Sequence, residues 1–126
     1  MSSYSSSIHS ILIIDDDPDI LEPLSLLLEG EGYRVETTTQ ADQTYGKVEK
    51  FRPSVILLDI LMSGVDGRTI CRKLKEKKAT KQIPIIMMSA HPTAQADSNG
   101  CGADDFIAKP FDLDTLLTMV KKHLHH

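Results

Sequence analysis

Acidic side chains follow two apolar runs of the sequence that are typical of buried β-strands. Asp15 and Asp16 come directly after the run 11–14, and Asp59 comes directly after the run 55–58. Continuous runs of β-branched residues and leucine indicate central strands of a parallel sheet covered on both faces, and the ligands of such sheets lie beyond the carboxyl ends of the strands. Because clustered carboxylates repel each other, they need a positive charge among them. The pattern therefore predicts a pocket for a hard, oxygen-binding cation such as Mg²⁺.

The elements that must position these residues are βα units around one parallel sheet, because five apolar runs alternate with amphipathic segments. The first helix is expected to begin with Asp17 as its N-cap and Pro18 at its first position. A short, polar second strand suits the edge of a sheet, and the segment 92–101 is at most a short, weakly anchored helix. The predicted strands span 8–14, 33–37, 54–58, 83–88 and 104–108, and the other helices are expected to begin near Ala41, Asp66 and Asp112.

The length and composition indicate one domain. The chain has 126 residues, of which 40% are hydrophobic, and this suits a single domain with a substantial core. We expect the serine-rich residues 1–7 to be a disordered tail or linker. The domain itself is expected to span 8–124, and residues 125–126 to be a C-terminal tail or the remnant of a tag.

The charge distribution, the length of the apolar runs and the spacing of the cysteines limit the partners and the cellular compartment that are expected. The net charge of −4 divides into −8 over residues 1–66 and +4 over residues 67–126, which argues against a nucleic-acid partner, because binding DNA or RNA needs a basic field over a whole face. No run approaches the roughly 20 apolar residues of a membrane span, so no membrane partner is expected. Cys71 and Cys101 lack metal-ligand spacing and indicate reduced thiols of a cytoplasmic protein.

Further polar residues at strand ends complete the pattern of a known family. Ser89 comes at the end of the predicted fourth strand, directly after residue 88, and Lys109, which is followed by Pro110, comes directly after the fifth. Together with the acidic cluster, these positions resemble the response-regulator receiver domain of two-component signalling over essentially the whole of 8–124. The matching residues are Asp15-Asp16, Leu57-Leu58-Asp59, Asp66-Gly67, Ser89-Ala90 and the run Gly102-Ala103-Asp104-Asp105-Phe106-Ile107-Ala108-Lys109-Pro110-Phe111.

The resemblance implies a flavodoxin-like (βα)5 fold, which is a single doubly wound α/β domain whose five-stranded parallel sheet has the order 2-1-3-4-5. It also implies a signalling phosphoacceptor rather than a conventional enzyme, one that catalyses only its own phosphorylation and dephosphorylation. The implied partners are a histidine kinase or histidine phosphotransfer protein, and a downstream protein target or attached output domain. A phosphorylation-dependent homodimer is a further candidate. The sequence leaves open whether the domain stands alone or belongs to a hybrid kinase or larger regulator.

The resemblance also assigns roles to individual residues. Asp59 is implied to receive the phosphoryl group from a phosphohistidine on the partner. Lys109 and the Ser89 hydroxyl would each contact a phosphoryl oxygen, because phosphoryl transfer depends mainly on positioning and on neutralisation of charge. The implied ligands of Mg²⁺ are Asp15, Asp16, Asp59 and the backbone carbonyl of Leu61.

The implied switch moves Ser89 toward the phosphoryl group while Phe106 rotates inward. Phosphorylation adds close to two negative charges and three acceptor oxygens. The surface that reads this change is expected to comprise 92–101, 104–108 and 112–124, with the weak segment 92–101 as the element that moves. Phe106 stands where tyrosine is common in the family, and a plain core role for it is an equal alternative.

Three loop positions matter for comparison with the family. One departs from the usual residue, and the other two, Leu61 and His91, are the positions that tune dephosphorylation in this family. Ser63 stands where the family usually has proline, which predicts a more flexible loop. Leu61 is apolar and cannot orient an attacking water molecule, so we predict a long-lived phosphoryl group. His91, at the second position that tunes dephosphorylation, is interpreted as an exposed loop residue.

The remaining charged residues are interpreted as structural. Asp17 and Asp66 are expected to cap helices, and Asp104 and Asp105 to be solvated. The basic residues within 68–81 are expected to form a solvated helix face.

Three alternative functions were weighed against this interpretation. An enzyme with an aspartate nucleophile, such as a phosphatase, would need a second catalytic acid at the position of Leu61. A flavin or nucleotide site would need a glycine-rich or hydroxyl-rich loop after the first strand, where the aspartates would repel the ligand. A degenerate receiver that binds proteins without phosphorylation is the third alternative, and the intact set of site residues argues against it.

Overall fold

The computed structural model describes residues 8–90 and 99–124. Its strands are β1 (Ser10–Ile14), β2 (Arg34–Thr38), β3 (Val55–Asp59), β4 (Ile85–Ser89) and β5 (Asp105–Ala108). They form one parallel sheet in the order β2-β1-β3-β4-β5. This confirms the predicted order and the flavodoxin-like α/β fold, with the polar second strand at an edge.

Helices cover both faces of the sheet. They are α1 (Pro18–Gly30), α2 (Thr44–Phe51), α3 (Gly67–Glu76) and a C-terminal helix (Leu113–Leu124), with short 3₁₀ turns at Ala41–Gln43 and Asn99–Cys101. The rest of the predicted segment 92–101 and His91 lie outside the described residues. Asp17 is the N-cap of α1 and accepts a hydrogen bond from the Asp19 amide, as predicted.

Side chains of the central strands alternate between two apolar cores, one on each face. Leu58 of β3 belongs to the core on the α2 and α3 side, together with Leu74. Its neighbour Leu57 belongs to the core on the other side, together with Leu24 of α1 and Val120 of the C-terminal helix. Because the strands are buried on both faces, their position in the molecule is fixed, and so are the positions of the residues at their carboxyl ends.

Two strands extend one residue beyond their predicted ends, and this brings two candidate site residues into the sheet. Asp59 is the last residue of β3 and pairs with Met88, while Ser89 is the last residue of β4 and pairs with Ala108. Asp59 is 4% exposed and Ser89 is 1% exposed. Buried backbone groups need hydrogen-bond partners, which the continued sheet pairing provides.

The predicted loop between β3 and α3 contains a small hairpin. Leu61–Met62 pairs antiparallel with Val65–Asp66, so Ser63 and Gly64 form the turn. Gly64 has a φ of 71°, whereas Ser63 is not among the described residues with positive φ. A positive φ at the second central residue alone is typical of a type II turn.

The prediction that Asp104 and Asp105 are solvated holds only in part: Asp104 is exposed and Asp105 is half-buried, and the carboxylates of both have basic partners. A carboxylate oxygen of Asp104 accepts hydrogen bonds from Lys75 Nζ at 2.7 Å and from the Ile85 amide at 2.8 Å. Asp105 Oδ2 lies 2.9 Å from Nε2 of His123. The beginning of β5 lies between α3 and the C-terminal helix, so basic side chains of both helices reach these aspartates. Lys75 is therefore an exception to the solvated basic face that the sequence predicts.

The two cysteines are buried, and neither forms a disulfide bond. Cys71 Sγ donates a hydrogen bond to the Cys101 carbonyl at 3.4 Å, and burial raises the pKa of the Cys71 thiol. A thiol that resists deprotonation is a poor nucleophile and metal ligand, which agrees with the predicted reduced state.

Candidate functional site

Three carboxylates meet at the carboxyl ends of β1 and β3. One ligand oxygen from each of Asp15, Asp16 and Asp59 lies within 4.8 Å of the others. The register of the sheet explains this, because Ile14 of β1 pairs with Leu58 of β3 and an aspartate directly follows each of these two residues. Asp15 is fully buried. Carboxylates this close repel each other and favour a bound cation.

A lysine that directly follows β5 reaches this cluster across β4. Lys109 Nζ lies 2.7 Å from Asp15 Oδ2 and 3.5 Å from Asp59 Oδ1. The backbone holds Lys109 in place, because its amide donates to the Ser89 carbonyl at 2.8 Å. The structure thus brings together the three acidic residues and the lysine that the sequence singled out, and it places Ser89 on the strand between β3 and β5.

Both oxygens of Asp15 are engaged. Oδ1 accepts a hydrogen bond from the Asp17 amide at 2.9 Å, and Oδ2 accepts one from Lys109 at 2.7 Å. A buried charge is stable only when it is paired and hydrogen-bonded, and Asp15 meets both conditions.

Asp59 is less well compensated. Burial raises the pKa of Asp59 most, the charge of Asp15 raises it further, and Lys109 offsets part of the effect, so that the pKa lies at about 6. An acid with such a pKa is poised between its neutral and charged forms near physiological pH. A divalent cation beside it would favour the carboxylate, which is the nucleophilic form.

The surroundings of Asp16 were not predicted from the sequence. The backbone amide and the hydroxyl of Ser63 both donate to Asp16 Oδ2, each at 2.8 Å. These two bonds lower the pKa of Asp16, the side-chain bond more than the backbone bond. The signal for this contact was the serine itself, because a serine has two donors where a proline has none.

The hairpin borders the site. The side chain of Leu61 is 46% exposed. The preceding residue, Ile60, joins the hairpin to the beginning of α3, because its carbonyl accepts a hydrogen bond from the Gly67 amide at 2.6 Å. Gly67 lies so close to the Asp59 carbonyl oxygen that a Cβ at this position would overlap with it. Asp66 caps α3 by accepting from the Arg68 amide, as predicted. Asp66 therefore stabilises the N-terminus of α3 and is not a member of the acidic cluster of Asp15, Asp16 and Asp59.

Phe106 lies on β5 opposite Met87 of β4. Its ring is partly buried and packs against the core on the α2 and α3 side. This position is compatible with both the core role and the switching role, and both stay predictions.

In the part of the chain that the structure describes, no helix combines the length and the apolar composition that crossing a bilayer requires.

Known proteins share this fold and much of this sequence. Residues 11–121 match the family of response regulator receiver domains. The DNA-binding dual master transcriptional regulator RpaA of Synechocystis is 37% identical over 113 residues, which are 88% of this chain and 47% of RpaA. This chain spans about half the length of the curated relatives that it matches.

Two solved structures agree with this assignment. A CheY-like response regulator receiver domain protein from Methanospirillum hungatei is 30% identical, with a TM-score of 0.85 over 93% of this chain and 94% of that one. The signal receiver domain of a signal transduction histidine kinase from Syntrophus aciditrophicus is 36% identical, with a TM-score of 0.84 over 92% of this chain and 89% of that one. The chain belongs to the response regulator receiver domains of two-component systems.

Proposed function

We propose that this domain accepts a phosphoryl group on Asp59 from a phosphohistidine of a histidine kinase or histidine phosphotransfer protein, in a Mg²⁺-dependent reaction. The observation that carries the proposal is the placement of Asp59. Its carboxylate lies within 4.8 Å of ligand oxygens of Asp15 and Asp16, and 3.5 Å from the ammonium group of Lys109.

The donor chemistry of the cluster fits Mg²⁺. Mg²⁺ binds oxygen ligands and usually combines one or two carboxylates with water and phosphate oxygens. Bound there, it would neutralise the oxygens of the incoming phosphoryl group. The residues that would hold it are Asp15, Asp16, Asp59 and the backbone carbonyl of Leu61.

Asp59 is the nucleophile in this proposal. One of its oxygens forms a bond to phosphorus while the P–N bond to the partner's imidazole breaks, and the electron pair of that bond returns to the imidazole nitrogen. Because the phosphoryl oxygens are negatively charged, the attack depends on groups that offset this charge. Lys109 is close enough to Asp59 to contact a phosphoryl oxygen attached to it, and the Ser89 hydroxyl is proposed to donate to another.

The proposed output of the reaction is a change of surface. The added charge would draw Ser89 toward the phosphoryl group and allow Phe106 to rotate inward. The surface that responds is proposed to include the described parts of 104–108 and 112–124 and the segment 92–101, most of which lies outside the described residues. A downstream protein, an attached output domain or a second phosphorylated copy of the domain would read this surface.

In this proposal the site around Asp59 does not turn over an external substrate. We propose that it catalyses only its own phosphorylation and dephosphorylation, and that the product is a signalling state. A module that binds proteins without phosphorylation would gain nothing from three clustered carboxylates, whose repulsion is destabilising. The geometry therefore favours the phosphoacceptor over the degenerate alternative.

The relatives differ in what the rest of the chain does. RpaA is described as a DNA-binding transcriptional regulator, and the Syntrophus domain is part of a histidine kinase. We propose that the residues described in this chain supply the phosphoacceptor function in either setting. The expectation that nucleic acid is not a partner of this domain stays a prediction.

The direct test is phosphorylation by acetyl phosphate. With Mg²⁺ present, the intact protein should gain the mass of one phosphoryl group, and chelation of the metal or the change Asp59→Asn should abolish the gain. Asp42→Asn removes an exposed carboxylate at the beginning of the 3₁₀ turn before α2 and should leave the gain unchanged. An equal gain in the Asp59→Asn variant would contradict the proposal.

A further inference from the structure

The contact between Ser63 and Asp16 joins two separate parts of the site. Asp16 follows β1, whereas Ser63 lies in the turn of the hairpin that follows β3. Two donors of Ser63, its amide and its hydroxyl, reach the same oxygen, Asp16 Oδ2, at 2.8 Å each. Ser63 also lies two residues after Leu61, whose carbonyl is a proposed metal ligand. One contact thus holds a ligand carboxylate and the loop that carries a second ligand.

From this geometry we infer that Ser63 is a positioning residue that raises the affinity of the site for divalent cations. The inference rests on the proposed function, because it concerns the same metal site. Ser63 acts through Asp16 and is not itself a ligand in this account.

The two hydrogen bonds leave room for a metal. An ionised carboxylate offers about four lone-pair sites on two oxygens, and Ser63 occupies sites on Oδ2 only. The carboxylate cannot rotate freely while two donors hold one of its oxygens, so less freedom remains to be lost when a cation binds. Hydrogen bonds to ligating carboxylates have this effect generally, and their removal typically lowers metal affinity by about 10–100-fold.

The turn allows a clean removal of both donors. Gly64 has the positive φ of the second central residue of a type II turn, and proline is common at the first central position of such turns. Ser63→Pro therefore keeps the turn while it deletes the amide hydrogen and the hydroxyl. Ser63→Ala deletes the hydroxyl alone, and Ser63→Thr keeps both donors.

The experiment is a Mg²⁺ titration of the unphosphorylated protein, followed by calorimetry or by amide chemical shifts. We expect Ser63→Pro to weaken Mg²⁺ binding by about 10-fold or more, Ser63→Ala to weaken it by a smaller factor, and Ser63→Thr to bind nearly as tightly as the original protein. A thermal melt of each variant without metal shows whether the fold is kept. Equal or tighter binding by a folded Ser63→Pro variant would overturn the inference.

Asp16→Asn separates this inference from the proposed function. If the original protein binds Mg²⁺ and Asp16→Asn abolishes binding, the metal site stands, and the Ser63 variants then decide the inference alone. If the original protein does not bind Mg²⁺, or if Asp16→Asn binds it equally well, the proposed metal site itself is wrong, and the inference falls with it.

Discussion

The ammonium group of Lys109 forms its closer ion pair with Asp15 and not with Asp59. The distances from Nζ are 2.7 Å to Asp15 Oδ2 and 3.5 Å to Asp59 Oδ1. Lysine thus compensates the fully buried aspartate, while Asp59 keeps a pKa of about 6 because burial and the charge of Asp15 outweigh the lysine. Asp59 is consequently the member of the cluster with most to gain from an added cation.

Removal of this lysine should destabilise the metal-free protein. Lys109→Met leaves Asp15 buried without its counter-ion, and breaking a buried pair in this way costs about 3–5 kcal/mol. We expect a loss of about 3 kcal/mol in the free energy of unfolding at pH 7, measured by urea denaturation in the presence of a chelator. Lys73→Met changes an exposed lysine of α3 and should alter stability by less than about 0.5 kcal/mol. Equal losses in the two variants would contradict the assigned role of Lys109.

The pKa of Asp59 predicts how the stability of the metal-free protein depends on pH. Its folded-state pKa, about 6, lies above the ordinary value of 3.8, so the folded protein binds this proton more tightly than the unfolded chain. The resulting stabilisation is present below pH 4 and is lost as the pH rises through about 6. The difference corresponds to on the order of 3 kcal/mol.

Asp59→Asn removes this proton-binding site and serves as the comparison. Relative to the original protein, the variant should gain stability steadily between about pH 4 and pH 7 and change little above that. Denaturation curves across this range provide the measurement. A difference between the two proteins that does not vary with pH would show that burial of Asp59 does not shift its titration.

The contact of Gly67 with the backbone of β3 predicts an unusual sensitivity to a single methyl group. In Gly67→Ala the new Cβ would overlap with the Asp59 carbonyl oxygen, so the end of β3 or the beginning of α3 must move. Overpacking of this kind costs typically about 1–3 kcal/mol, and the movement should also weaken Mg²⁺ binding. Thermal unfolding and a Mg²⁺ titration measure the two effects.

Gly46→Ala is the matched control for this change. Gly46 lies within α2, and a Cβ there meets no atom within 4 Å. Alanine should therefore stabilise the helix by roughly 0.5–1 kcal/mol without an effect on the site. Stabilisation by both changes would show that Gly67 is not held against Asp59.

Leu61 should make the phosphoryl group long-lived. Its side chain is 46% exposed at the border of the site and has no polar group to orient a water molecule for attack on phosphorus. We expect decay of the phosphorylated protein over minutes or longer, followed by intact mass after removal of acetyl phosphate. Leu61→Asn should accelerate decay, whereas Val65→Asn, which alters the exposed apolar residue on the opposite strand of the hairpin, should not. A lifetime of seconds for the original protein would contradict this explanation.

The sequence predicted the fold and where the main candidate site residues lie, because both depend on the strands. Apolar runs identify buried strands, and the residues that follow such runs must lie at one edge of a parallel sheet, as Asp15 and Asp59 do. The order of the strands came from the resemblance to a family, since periodicity alone does not determine which strands are neighbours. The side-chain contacts of loops were not predictable in the same way. The bond of Ser63 to Asp16 depends on the turn at Gly64, and the binding of Asp104 by Lys75 depends on where α3 ends.

The central claim is that Asp59 is the phosphoacceptor, and the most direct test is chemical trapping. Borohydride reduces an aspartyl phosphate to homoserine, so peptide mapping of the trapped protein identifies the modified residue. After treatment with acetyl phosphate and Mg²⁺, we predict homoserine at position 59, and none when the metal is chelated. Homoserine at position 15, 16 or 66 in place of 59 would contradict the claim. The absence of homoserine at position 59 after a demonstrated gain in mass would contradict it as well.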